Sequence, residues 1–132
     1  MRDFNALAAG GGALVVMNRL ANVDGSQIEQ EHVAAIEYTV YAVGPSGTLE
    51  AVEGHDAEAL DVADVIFDDL QTSAPWDTDE DPSGYNFRHT VDVSTADAFP
   101  DWGRRYMVVY RVELVSGPPI VWRWIVRTLA VV

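Results

Sequence analysis

The amino-acid sequence predicts an all-β protein, a single antiparallel β-sandwich of about seven short strands. The chain has 132 residues, of which 48% are hydrophobic and none is cysteine, so it can bury one core without disulfides. Several segments alternate apolar and polar residues with a period of two. Clusters of Gly, Pro, Asn and Asp separate these segments. We expect the sandwich to span 13–132 and a flexible N-terminal arm to span 1–12.

The arm is predicted because small residues dominate it and because Gly10, Gly11 and Gly12 are costly to order. Such an arm either stays loose or becomes ordered on a partner. A first strand is expected over 13–20, where a short apolar run ends at an Asn-Val-Asp-Gly turn. The alternation over 34–43 predicts a second, longer strand.

The middle of the chain is less regular. A short extended piece is expected over 48–52. Leu60, Ala63 and Phe67 are spaced three and four apart with aspartates between them, which is typical of at most one short helical turn near 63–70. The β-branched residues beside them suit a strand equally well: Val62, Val65 and Ile66. An acidic loop follows.

The last third of the chain predicts three further strands. Alternation is clear over 85–93 and 106–114. In the final strand Trp122 and Trp124 alternate with arginines, which favours inward tryptophans and outward arginines. The same two tryptophans would suit a sugar-stacking platform if they were exposed, but we favour a core role.

One run of residues over 99–110 indicates a particular type of β-sandwich: Phe-Pro-Asp-Trp-Gly-Arg-Arg-Tyr-Met-Val-Val-Tyr. It is similar to the corner before the penultimate strand of immunoglobulin-like sandwiches, where a tyrosine, here Tyr106, bonds back to upstream backbone. Residues 85–132 resemble the small immunoglobulin-like or fibronectin III-like domains of tailed-phage virion proteins. This resemblance implies a capsid decoration, neck or baseplate component. The lack of cysteine excludes antibody-type domains.

Charge is distributed unevenly along the chain. The net charge is −13, lysine is absent, and the acidity argues against nucleic-acid binding. Residues 20–87 contain 16 acids and no Lys or Arg, whereas 88–132 contain 6 Arg and 4 acids. If the two parts occupy different surfaces, the protein is suited to directional docking with copies of itself or a neighbouring subunit. A GC-rich or halophilic genome explains the same composition equally well.

The sequence predicts no membrane segment, because arginines interrupt the apolar stretch over 120–132 and it is too short to span a bilayer as a helix. The first residues lack the apolar region of a signal peptide. We therefore expect a virion location, with the cytoplasm as the alternative.

No enzymatic site can be assembled from the sequence. His32, His55 and His89 are far apart along the chain and form no metal motif, and no serine lies in a nucleophile elbow. His89 is expected to be half-buried with one backbone partner. We expect no enzyme activity and no cofactor.

The acidic loop is a candidate metal site. Asp77, Asp79 and Asp81 could converge on Ca²⁺, although Pro82 and Arg88 exclude an EF-hand. A solvent-exposed acidic turn also explains the run and is the interpretation that we favour.

The favoured hypothesis is a non-enzymatic structural or assembly protein, a virion accessory subunit that oligomerises with other virion subunits or with copies of itself. Its contacts are expected from side chains in the arm, in two loops and before the penultimate strand: Arg2, Phe4, Leu7, Trp76, Trp102, Arg104 and Arg105. The alternative is a carbohydrate-binding sandwich that uses surface tryptophans. A metal-dependent hydrolase is a third hypothesis.

Overall fold

A computed structural model describes residues 2–9, 14–22, 25–72, 84–91, 99 and 104–129. Within these ranges the chain forms nine strands, one 3₁₀ turn and one short helix. The strands are β1 (Arg2–Ala9), β2 (Leu14–Asn18), β3 (Val33–Val43), β4 (Leu49–Ala51), β5 (Glu58–Leu60), β6 (Ile66–Gln71), β7 (Tyr85–Val91), β8 (Arg105–Leu114) and β9 (Ile120–Leu129). The 3₁₀ turn is Gln30–His32 and the helix, α1, is Val62–Val65.

The strands form two sheets that enclose the core. One has six strands in the order β1-β9-β8-β3-β4, with β5 also paired to β3, and the other has three in the order β2-β7-β6. In immunoglobulin domains strands G, F and C share one sheet and strands B, E and D the other. The orders β9-β8-β3 and β2-β7-β6 reproduce this arrangement, so the predicted all-β, immunoglobulin-like sandwich is confirmed.

The N-terminal segment differs from the expected flexible arm. Residues 2–9 form β1, which pairs in parallel with β9 over its whole length, from Arg2 opposite Trp122 to Ala9 opposite Leu129. Phe4 and Ala6 are partly buried against the core. The backbone pairing and this apolar face order the segment within its own chain, and the sheet is therefore not purely antiparallel.

The expected helical turn is shorter than predicted. Helix α1 ends at Val65, and the next residues, 66–71, form strand β6 against β7. Asp61 caps the helix by accepting a hydrogen bond from the Ala63 backbone N–H at 3.2 Å. The β-branched Ile66 is fully buried, and sheet pairing determines the conformation beyond it.

A row of aromatic side chains crosses the larger sheet inside the core. Tyr38, Tyr110 and Trp122 lie opposite one another on β3, β8 and β9. The rings of Tyr110 and Trp122 are stacked with centroids 5.1 Å apart. Phe87, from the smaller sheet, meets both edge-on at 5.1 and 5.0 Å. This packing joins the two sheets.

A buried asparagine fastens the segment between β2 and β3 to the core. Asn86 on β7 is fully buried. Its Oδ1 accepts a hydrogen bond from the Leu20 N–H at 2.7 Å, and its Nδ2 donates to the carbonyl oxygens of Leu20 and Ile28 at 2.9 and 3.0 Å. These bonds satisfy backbone groups that lie outside the nine strands.

Candidate functional site

Three arginines form a cluster on the larger sheet where β8 begins and β9 ends. Arg105 on β8 lies directly opposite Arg127 on β9, and Arg104 immediately precedes β8. Successive side chains of a strand point to opposite faces. Because the neighbouring Tyr106 and Val126 are fully buried, Arg105 and Arg127 face solvent on the outer side of the sheet, and both are exposed. We call Arg104, Arg105 and Arg127 the arginine cluster.

The start of β8 is fixed beside the end of β9 by Thr128, which is buried. The Arg104 N–H donates to the Thr128 hydroxyl at 2.8 Å, and the Thr128 N–H donates to the Arg104 carbonyl oxygen at 2.9 Å. These bonds hold the register that places Arg105 opposite Arg127.

Within the described residues, the electrostatics of this pair are unfavourable. Like charges directly opposite each other on neighbouring strands destabilise a sheet. Among the described residues, no carboxylate forms an ion pair with Arg105 or Arg127. Arg111, further along β8, differs because its Nε lies 2.6 Å from a Glu113 carboxylate oxygen. The cluster is therefore a positive region on a protein whose net charge is −13.

Two shallow depressions adjoin the arginine cluster. One, of about 480 Å³, is lined by Asn5, Ala6, Arg105, Ile125 and Arg127. The other, of about 460 Å³, is lined by Val43, Gly44, Pro45, Arg104 and Arg105. Arg105 belongs to both, so a guanidinium stands between two hollows that also present apolar surface. This combination suits a partner that offers a carboxylate beside an apolar group.

Some acidic residues lie on or near β4 and β5, which pair with β3 on the side away from β9. Others lie at α1 and on β6, and β6 belongs to the smaller sheet. Eight acidic residues of this region are all exposed, and we call them the acidic edge: Glu50, Glu53, Asp56, Glu58, Asp61, Asp64, Asp68 and Asp69. The charge separation read along the sequence therefore exists between two parts of the folded surface.

A second polar cluster, the His–Tyr cluster, lies between the sheets and consists of Tyr38, His55, His89 and Tyr110. A hydrogen bond joins Tyr38 Oη to His55 Nδ1 at 2.6 Å, and another joins His89 Nδ1 to Tyr110 Oη at 2.8 Å. The rings of Tyr38 and His89 are 4.8 Å apart. His55 and Tyr110 are buried.

His89 is half-buried as expected, and its partner in the His–Tyr cluster is the hydroxyl of Tyr110, whereas the expected backbone partner stays a prediction. Two histidines that are distant in sequence also meet the same ring, Tyr38. Burial raises the pKa of Tyr110 well above its ordinary value, and the nearby Tyr38 raises it further. Tyr110 therefore stays protonated as a hydrogen-bonding group that joins β8 to β7.

The tryptophans of β9 are part of the packing. Trp122 is 3% exposed, and the Phe4 ring stacks on Trp124 with centroids 4.9 Å apart. Both indole N–H groups donate to Asn18 Oδ1, at 3.0 Å from Trp122 and 3.1 Å from Trp124. The core interpretation is confirmed for Trp122, and the pair forms no exposed sugar platform.

The other predicted site residues are distributed as follows. Arg2 and Leu7 lie on β1, opposite Trp122 and Arg127. Tyr106 is fully buried at the second position of β8, with the Phe99 ring edge-on at 5.4 Å, and its corner hydrogen bond stays a prediction. The remaining candidates lie outside the described residues: Trp76, Trp102, Asp77, Asp79 and Asp81.

Within the described ranges, no three histidine or carboxylate side chains are grouped as metal ligands, and no helix is long and apolar enough to cross a membrane. The chain matches no protein-family model, no curated protein and no solved structure. The class defined by fold and site is thus an immunoglobulin-like sandwich with an arginine cluster and an acidic edge.

Proposed function

We propose that this protein is a non-enzymatic structural subunit, a virion accessory component of the decoration, neck or baseplate type, that assembles with copies of itself or with neighbouring subunits. The observation that carries the proposal is the exposed pair Arg105 and Arg127 on a strongly acidic chain. Two guanidinium groups held side by side are stabilised most when a partner supplies a carboxylate that accepts their hydrogen bonds.

The acidic edge of a second copy is a partner of suitable charge. An arginine cluster that binds an acidic edge is a heterologous contact, since two different surfaces meet, and it therefore builds a ring or an open chain. Virion components of the proposed kinds occur as repeated copies, which this contact geometry serves. Long-range attraction between the two surfaces also favours oriented encounters.

Sedimentation velocity over a range of protein concentrations tests the assembly step. We expect concentration-dependent association at low salt that weakens near about 1 M salt, where the Debye length is about 3 Å. Arg105→Glu should weaken association at least about tenfold, which corresponds to about 1.4 kcal/mol. Arg111→Glu is the matched control, because it makes the same charge change at another exposed position of β8. Equal effects of the two variants would refute a role for the arginine cluster.

The virion assignment has its own test. It is supported by the resemblance at residues 85–132 and by the small acidic sandwich. We expect the coding sequence to lie among portal, capsid or tail genes and the protein to co-purify with particles, as detected by mass spectrometry. Purified particles that lack the protein would contradict the assignment and leave the self-association measurement unaffected.

A further inference from the structure

In the part of the chain that the structure describes, strand β1 is the edge strand of the larger sheet. Its one strand partner there is β9. Its partly buried side chains are Phe4, which stacks on Trp124, and Ala6. The other strands of that sheet are held by antiparallel neighbours, most of which are close in sequence, whereas β1 depends on one distant parallel strand. It can leave without separating any other pair of strands, and because it is the first element in chain order, one connection joins it to the other described elements.

Strand β9 needs a partner at this edge. It runs from Ile120 to Leu129, it is rich in apolar residues, and without β1 it would expose Trp124 and a row of unpaired backbone groups. A long apolar edge strand is a template for pairing with another chain. A hollow of about 210 Å³ beside Trp122 is lined in part by Phe4, so loss of β1 would open it further. The same edge accepts an identical β1 from any copy of the protein.

The sequence between β1 and β2 is rich in glycine. Four residues separate the two strands: three glycines and Ala13. Strand β1 belongs to the larger sheet and β2 to the smaller one. Glycine tolerates backbone conformations that other residues avoid, so a glycine-rich sequence places little steric restriction on a connection to a second copy.

We infer that β1 is an exchangeable strand: the β1 of one copy pairs with the β9 of a second copy, in the register seen within one chain. This inference rests on the proposed self-association. Exchange forms between two chains the contacts that β1 and β9 otherwise make within one chain. The balance between the closed and exchanged forms therefore depends on protein concentration and on the segment that connects β1 to β2. Reciprocal exchange gives a closed dimer, and one-way exchange gives a chain.

The arginine cluster lies beside the exchanged strand. Asn5 and Ala6 line the same depression as Arg105 and Arg127. A second copy bound at the arginine cluster therefore lies beside the edge that β1 occupies.

Disulfide trapping tests the inference cleanly because the chain contains no cysteine. Asn5 and Ile125 are register neighbours on β1 and β9, so their Cα atoms are close enough for a disulfide. One preparation carries only Asn5→Cys and a second, with a larger tag, carries only Ile125→Cys. The two are mixed at high concentration, incubated, oxidised and separated on a non-reducing gel. Val121→Cys replaces Ile125→Cys as the control, since it lies on β9 at another register position.

We expect the mixed-size disulfide with Ile125→Cys and at least about tenfold less with Val121→Cys. Equal yields from the two positions indicate random collision and overturn the inference. Sedimentation of the same mixture separates the two proposals: association without the mixed disulfide overturns exchange and leaves the proposed function standing, whereas a monomer at every concentration overturns exchange and the self-assembly part of the proposed function. Circular dichroism confirms that each variant is folded.

Discussion

Replacement of Asn86 by alanine tests how the β2–β3 connection is held. The side chain is fully buried and makes three hydrogen bonds to backbone atoms of Leu20 and Ile28. Alanine leaves the Leu20 N–H and the Ile28 carbonyl oxygen without these partners, whereas the Leu20 carbonyl oxygen still accepts from the Ile28 N–H at 3.2 Å. Each buried group left unsatisfied costs about 1–3 kcal/mol, so we expect a loss of about 2–6 kcal/mol in the free energy of unfolding.

The assay is urea unfolding followed by tryptophan fluorescence, with the free energy obtained by linear extrapolation. Asn22→Ala is the matched control, because the Asn22 Nδ2 donates to the Ser26 hydroxyl at an exposed position and its loss should cost less than about 1 kcal/mol. A loss below about 1 kcal/mol for Asn86→Ala, indistinguishable from the control, would refute the reasoning that Asn86 satisfies buried backbone groups.

Three further variants probe the interior. Burial keeps the pKa of Tyr110 well above its ordinary value of about 10, so as the pH rises the unfolded chain releases this proton before the folded chain does. The contribution of Tyr110 to stability is therefore full below about pH 10 and falls as the pH rises further. Tyr110→Phe should flatten that fall and should lose about 1 kcal/mol with the hydrogen bond to His89, as measured by unfolding at several pH values. Gly84→Ala should destabilise by at least about 1 kcal/mol more than Gly117→Ala in thermal unfolding, since both have positive φ but a Cβ on Gly84 would lie 2.7 Å from a backbone oxygen whereas Gly117 has open space. Asn18→Ala removes the acceptor of two indole N–H groups and should cost about 2–4 kcal/mol and shift the tryptophan emission, whereas an unchanged spectrum would contradict the shared bond.

The alternation of apolar and polar residues predicted the strands that have one buried face and one outer face. In β8 the residues at every second position from Tyr106 to Val112 are fully buried, and the alternation over 106–114 shows the same phase. The inward position of Trp122 followed from its alternation with arginine in the same way. These strands are predictable because burial of one face requires apolar residues at every second position of the sequence.

Contacts between distant strands left no comparable signal. The glycines at 10–12 favoured a loose arm, yet the eight residues before them pair with β9, about 120 positions away. Likewise Arg105 was a predicted contact residue, but Arg127 was missed as its neighbour because the register of β8 and β9 is not visible locally. The meeting of His55 and His89 at Tyr38 depends on contacts between segments that are far apart in the sequence, and of these residues only His89 was expected to be half-buried.

The pairing of β1 with β9 has a consequence for the order of events during synthesis. The first strand leaves the ribosome early, and its sheet partner is made about 120 residues later. At roughly 5–20 residues per second this delay is about 6–24 s. Throughout that interval the nascent β1 has no β9 of its own chain to pair with. If strands are exchanged as we infer, chains on neighbouring ribosomes have this interval in which to pair with one another.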